Sequence, residues 1–149
     1  MTEPVVLDAS ALFALALDEP GAETVASHLP RAKVSTVTLS EVYAKTLSQA
    51  DLDVRAFGGQ LSTVGVTFES FSQRDADLSL LVRQLDDARL AALPDDLPDE
   101  QRYKRKRASL GDRCCLALAL RLGAPAMTSD TTWFDLGDPL RIISFRPSP

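Results

Sequence analysis

The chain has 149 residues, 45% of them apolar and 25% charged, the proportions of an ordinary globular domain that buries roughly two-thirds of its unfolded surface. No run approaches the ~18 apolar residues of a membrane span. The single histidine, His28, excludes histidine-rich zinc sites and any mechanism that needs two imidazoles. A net charge of −5, from 16 basic and 21 acidic side chains, gives no global attraction to nucleic acid, so a local basic patch would have to supply it. The N-terminus lacks a basic region, and Asp8 and Asp18 bracket its apolar run. No signal peptide is therefore expected, and the cytoplasm is the expected compartment.

In chain order, Pro4 to Leu7 reads as a short buried strand, Ala11 to Leu17 as a helix closed by Pro20-Gly21, and Ala22 to Leu29 as a second helix stopped by Pro30. β-Branched content predicts a strand over Lys33 to Val37. Leu39, Val42, Tyr43, Thr46 and Leu47 then recur at helical spacing, with Thr38-x-x-Glu41 as the capping box that would start the helix. A helix over Asp53 to Leu61, weakened by Gly58-Gly59, precedes a strand within Thr63 to Phe71 and a long amphipathic helix from Gln73 to about Ala92. Pro94 to Arg107 is a polar loop, acidic first and basic at its end.

Ser109 to Leu122, SLGDRCCLALALRL, reads as a helix that is apolar on every side from Cys114 to Leu120 and is therefore buried. The adjacent Cys114 and Cys115 cannot reach ordinary disulfide geometry and are expected as small core residues. Ala126 to Thr128 is a short strand, the stretch around Trp133-Phe134 a turn or short helix with Trp133 as a core anchor, and Leu140 to Phe145 the last strand. The alternation predicts one α/β domain over residues 1–149, a mainly parallel sheet of about five strands covered by helices on both faces.

In such sheets ligands bind beyond the carboxyl ends of the strands, at a switch point. Asp8 and Asp130 lie just past two strand ends; Glu41 and Asp112 lie near two helix starts. Each acid also has a plain structural use, as a helix N-cap or a capping-box acid. Spacing leaves both uses open. The chain contains no GxxxxGK[ST], GxGxxG or GxSxG, so phosphate-loop, dinucleotide and hydrolase-elbow chemistries lack their frames.

The segments VLDASAL, SEVYAK, LGDRCCLALA and TSDTTW, in that order, resemble a PIN domain, and more narrowly the VapC-type toxins of bacterial toxin–antitoxin pairs. The resemblance spans essentially the whole chain and implies a three-layer fold. It also implies an acidic cluster of Asp8, Glu41, Asp112 and Asp130 holding Mg²⁺ or Mn²⁺. Two departures stand out: Thr131-Thr132 replaces a segment that often carries a basic residue, and the loop before Ser109 is unusually basic. The implied activity is hydrolysis of RNA by metal-activated water, leaving a 5′-phosphate and a 3′-hydroxyl. The implied partners are RNA, a cognate antitoxin protein and a second copy in a homodimer, with no membrane.

All-oxygen ligands suit Mg²⁺ or Mn²⁺ rather than zinc, and crowded carboxylates raise one another's pKa until a cation relieves them. Asp8, Asp112 and Asp130 are the expected ligands, with Glu41 binding a second ion or orienting water. Candidate substrate contacts are Ser10, Arg113 and the run Lys104, Arg105, Lys106 and Arg107, each with an ordinary alternative. Ser10 can be a first-turn hydroxyl, Arg113 can balance the acids, and the basic run can be a solvated, mobile loop paired with the acids before it. Two other functions fit the same pattern: a PIN-like module that binds RNA or protein without cutting, and a structure-specific DNA nuclease.

Overall fold

In the computed structural model, which describes residues 3–47 and 53–147, each run expected as a strand contains one. The strands are β1 (Val5–Leu7), β2 (Ala32–Ser35), β3 (Thr67–Glu69), β4 (Ala126–Thr128) and β5 (Ile142–Ser144). β4 has the expected bounds, β2 is shifted toward the N-terminus, and the others are shorter than expected. They form one sheet in the order β3-β2-β1-β4-β5, and every pair is parallel. The chain lays down β1, β2 and β3 in one direction and then returns to place β4 on the other side of β1. The switch point therefore falls between β1 and β4.

Side-chain alternation along β1 divides the core. Val5 and Leu7 face α1 (Ala9–Leu17), α2 (Ala22–His28), α3 (Thr36–Thr46) and α4 (Val54–Thr63), packing with Leu12, Val25, Val42 and Phe57. Val6 faces the opposite layer, α5 (Gln73–Ala91) and α6 (Leu110–Leu122), with Val82, Leu116, Leu118 and Trp133. The result is the three-layer α/β architecture expected from the alternation. Among the described residues no helix is long and apolar enough to cross a membrane.

Burial holds α6 in place. Every residue from Cys114 to Ala119 is buried, both cysteines are free, and Trp133 is a core anchor as expected. Truncating Leu116 or Leu118 to alanine would cost about 2–5 kcal/mol, against about 1 kcal/mol for an N-cap. Gly123 closes the helix in the left-handed region, φ 60°, where a side chain is strained.

Two local expectations are corrected. The helix expected to start at Thr38-x-x-Glu41 begins a turn earlier, because β2 ends at Ser35 and the Ser35 hydroxyl accepts the Val37 N–H at 3.2 Å. Thr38 is instead buried within α3 and its hydroxyl has no hydrogen-bond partner among the described residues. The β-branched run Thr36-Val37-Thr38 favoured a strand locally, but an apolar face that includes Val42 packs it as helix. The polar loop after α5 also contains a 3₁₀ helix, Asp99–Arg105, whereas the 3₁₀ helix Thr131–Leu136 is the short helix expected around Trp133.

Candidate active site

Because Leu7 pairs with Met127, the chain leaves β1 and β4 side by side. The Asp8 N–H donates to the Met127 carbonyl at 3.2 Å, one bond beyond the ladder, and the chain then turns into α1. Asp8 caps that helix: its Oδ1 accepts from the Ala11 N–H at 2.9 Å and from the Ser10 hydroxyl at 2.6 Å. Its Oδ2 accepts from the Thr128 hydroxyl. The Thr128 oxygen in turn accepts the Asp130 N–H at 3.0 Å, and Ser10 Oγ accepts the Ser129 N–H at 3.0 Å. Two strand ends are thus tied through two hydroxyls. Asp130 begins the next turn, its Oδ1 accepting from the Thr132 N–H and hydroxyl at 3.0 and 2.6 Å.

Asp112 forms the capping box read from the sequence. Its Oδ2 accepts the Ser109 N–H, and Ser109 Oγ accepts the Asp112 N–H, both at 3.1 Å. Glu41 arrives differently. It lies in the middle of α3, not at its start, where α3 crosses the head of α6 beside Gly111. A Cβ on Gly111 would lie 2.8 Å from Glu41 Oε1, so the carboxylate keeps this position only beside a glycine. Lys45, one turn on, pairs with Glu41 Oε2 at 3.3 Å.

Asp8, Glu41, Asp112 and Asp130 all line one cleft of about 290 Å³, with Ser10, Lys45 and Lys106 on its walls. Asp8 is 5% exposed. Burial pushes its carboxyl up to about 6, against the pull of its three hydrogen bonds, with the Asp112 charge adding slightly. Burial also raises Asp112, and the charges of Asp130 and Glu41 add to it. Burial raises the Cys115 thiol well above its ordinary value, which fits a core residue and not a nucleophile.

The structural and functional uses of these acids do not compete. A carboxylate has about four lone-pair sites. Among the described residues Asp8 commits three, Asp130 two and Asp112 one. The uncommitted sites are oxygen donors on a shared cleft, the ligand chemistry that suits Mg²⁺ or Mn²⁺. As they stand, no group of three or more Asp, Glu, His or Cys side chains among the described residues is drawn together to hold a metal ion. Like charges keep carboxylates apart when no cation lies between them.

The substrate candidates separate. Ser10 lies on the cleft wall, its hydroxyl on Asp8. Of the basic run only Lys106 lines this cleft. Lys104 donates to Gln101 at 3.3 Å, Arg105 to the Pro94 carbonyl at 2.7 Å, and Arg107 to Asp87. Arg113 donates to the Ala108 carbonyl at 3.1 Å and is not on the cleft wall. The expected pairing of the run with the acids just before it is not seen among the described residues: Arg105 takes the backbone carbonyls of Pro94 and Asp95, Arg107 turns to Asp87, and the one such pair, Arg102 with Asp99, lies just before the run.

Three contributors were not singled out from the sequence. Thr128 carried no signal beyond its place before Ser129-Asp130. Lys45 was readable as an i,i+4 partner of Glu41. Asp86 and Arg89 form a buried pair, Nε to Oδ1 at 2.9 Å, that fastens the basic segment. The Arg89 guanidinium donates to the Lys104 and Lys106 carbonyls at 2.6 and 2.8 Å, and Asp86 Oδ2 accepts the Ala108 N–H at 2.9 Å. That clamp presents Lys106 to the cleft.

The PIN-domain family model matches residues 5–138. No curated protein matches the sequence. Among solved structures, a toxin–antitoxin complex from Klebsiella pneumoniae is 19% identical, with a TM-score of 0.67 over 95% of this chain and 97% of that one. DNA-bound VapBC from Salmonella typhimurium is 17% identical, with a TM-score of 0.67 over 97% and 99%. VapC20 of Mycobacterium tuberculosis, a toxin that cleaves the sarcin–ricin loop, is 19% identical, with a TM-score of 0.54 over 82% and 86%. At these identities the likeness shows the fold.

Proposed function

The chain belongs to the PIN-domain family, and from that premise we propose that it is a metal-dependent endoribonuclease, the toxin of a VapBC-type toxin–antitoxin pair. The observation that carries this reading is a buried carboxylate, Asp8, with no paired cation among the described residues, on a cleft shared with three further acids at the sheet's switch point. A buried charge needs a partner, and a divalent cation is the partner these donors suit. Asp8, Asp112 and Asp130 would hold it, and Glu41 would hold a second ion or orient the attacking water. A cation there would supply Lewis-acid stabilisation of the phosphoryl oxygens and a lowered pKa for water.

The chain's own groups do the rest. Ser10 and Thr128 fix the Asp8 carboxylate by donating to both of its oxygens, so its orientation does not depend on the ligand. Lys106 faces the acids across the cleft, placed to take a substrate phosphate. The antitoxin would occupy the same acidic cleft, and a second copy would complete a homodimer. The VapBC complexes with this fold support a protein partner.

A second reading, a module that binds RNA or protein without cutting, is favoured by the spacing of the acids, which among the described residues do not group as a metal cluster. Cleavage of total RNA with Mg²⁺ or Mn²⁺ decides between them. The nuclease reading expects discrete fragments with 5′-phosphates, abolished by EDTA and by Asp112→Asn. RNA bound but uncut by both proteins would establish the second reading instead.

A further inference from the structure

Beside the acid cleft lies a second cavity of about 270 Å³, and the two share Lys106, Asp112 and Asp130 as their common wall. The far wall differs in kind. It carries Tyr103 and Arg107 from the clamped basic segment, with Thr132 and Trp133 behind them. Trp133 is 2% exposed and belongs to the core, whereas Tyr103 is 56% exposed, with its ring on the cavity's rim. The Tyr103 ring belongs to neither hydrophobic core among the described residues. The Arg89 clamp on the Lys104 and Lys106 carbonyls nonetheless fixes the backbone on the C-terminal side of Tyr103.

We infer that this cavity is a nucleobase subsite: it takes the base of a nucleotide flanking the scissile phosphate of a single-stranded RNA, with Tyr103 as its stacking face. The inference rests on the nuclease reading for the position of the phosphate and deepens it by naming the substrate's form. A strand whose phosphate lies between Lys106 and the acids has its neighbouring nucleotide at the second cavity, because the two share that wall. Aromatic rings beside cations are how proteins hold unpaired bases, since every base offers a π-face while the cations track the backbone. Arg107 supplies the second cation, its charge shared with Asp87. Duplex RNA keeps its bases stacked and cannot reach Tyr103 in this way.

Trp133 is the chain's only tryptophan and lines this cavity, so its emission reports occupancy without any need for turnover. The probe is a short mixed-sequence single-stranded RNA, titrated into Asp8→Asn protein with and without Tyr103→Ala. The expected result is quenching of Trp133 by RNA and an affinity weakened about tenfold or more by Tyr103→Ala, the usual scale of one stacked base. Tyr103→Phe should restore binding. An RNA of the same length with abasic sites should bind both proteins alike. Because Tyr103 is exposed, an unchanged thermal melt separates a lost contact from a lost fold.

Equal RNA affinity and equal quenching with and without Tyr103 would overturn the subsite. So would quenching by a protein partner but not by RNA, which would assign the cavity to that partner. The two levels fail separately. If wild-type protein cleaves RNA and Tyr103→Ala cleaves it equally well, only the subsite is lost. If wild-type protein neither cleaves nor binds RNA, the nuclease reading falls first.

Discussion

Asp8 and Asp86 are two almost wholly buried aspartates, 5% and 1% exposed, that the fold treats in opposite ways. Asp86 is met by Arg89 and by the Ala108 N–H, so its charge is balanced and its oxygens are occupied. Asp75, also 1% exposed, is met in the same manner by Arg121 at 2.6 Å. Asp8 receives two hydroxyls and a backbone N–H, and among the described residues it has no ion pair. Where this chain buries an acid for structure, it supplies an arginine. Where it buries one at the switch point, it supplies hydroxyls and a backbone N–H instead.

Substituting each acid by its amide breaks or sharpens that contrast most strongly. Asp86→Asn leaves Arg89 buried without a counter-charge and should lower stability by about 3 kcal/mol, the lower end for a broken buried pair, because the guanidinium keeps its two carbonyls. Asp8→Asn should leave the metal-free protein as stable as wild type or more so. Its amide oxygen can still accept from Ser10 and Ala11, and a buried unpaired charge is gone. Cleavage should fall by about 100-fold or more, since even groups behind a metal's ligands act on that scale. Urea denaturation and RNA cleavage read the two effects separately. A large loss of stability in Asp8→Asn would mean that its charge is structural, and the contrast would fail.

The same contrast has a pH signature. The folded value of Asp8, about 6, lies above its ordinary 3.8, so between these values the folded protein binds more protons than the unfolded chain. Stability from this group is fully present below about pH 4 and is lost as pH rises through 6, a difference of about 3 kcal/mol. Asp112 shifts in the same direction, while exposed Asp87 beside Arg107 and Arg83 shifts in the other. The informative quantity is therefore wild type minus Asp8→Asn, measured by urea denaturation at pH 5 and pH 7.5 in EDTA. Wild type should lose ground to the variant at the higher pH. Saturating Mg²⁺ should restore wild type there, by about 2.7 kcal/mol at a hundredfold excess over Kd, and leave the variant unmoved.

How far the sequence disclosed this depends on which acid is considered. Asp112 was readable both as a capping-box acid and in its place on the cleft, because a capping-box acid at the head of an all-round apolar helix is a local pattern. Asp8 and Asp130 were readable from strand ends, since parallel strands deliver the residues just beyond them to one edge. Glu41 was placed on the right edge for the wrong reason. Its helix starts at Thr36 and not with a Thr38 cap, and it reaches the cleft because α3 crosses α6 at a residue with no side chain. No local pattern encodes a crossing between residues 41 and 111. The basic run was visible as charge, but the destinations of its members depend on Arg89 and Asp87, which lie about 15 to 20 residues earlier in the chain.

Gly111 gives the smallest effect and the finest test of the cleft. Alanine is the better helix former by about 1 kcal/mol, so Gly111→Ala should gain part of that in the first turn of α6. The new Cβ would lie 2.8 Å from Glu41 Oε1 and 3.3 Å from its Cδ. What it meets is the far end of a flexible side chain, which can swing aside at little cost, toward the Lys45 ammonium that already holds its other oxygen. Stability should therefore stay level or rise by less than about 1 kcal/mol, while cleavage falls by about tenfold because a displaced carboxylate no longer aligns with the other three acids. Unlike Asp8, which two hydroxyls hold, Glu41 has one oxygen on Lys45 and the other in space that Gly111 leaves free. Thermal melts beside cleavage rates for Gly111→Ala and Glu41→Gln make the comparison. Full activity in Gly111→Ala with activity lost in Glu41→Gln would mean that the carboxylate works from its displaced position, and the glycine would then be serving helix packing alone.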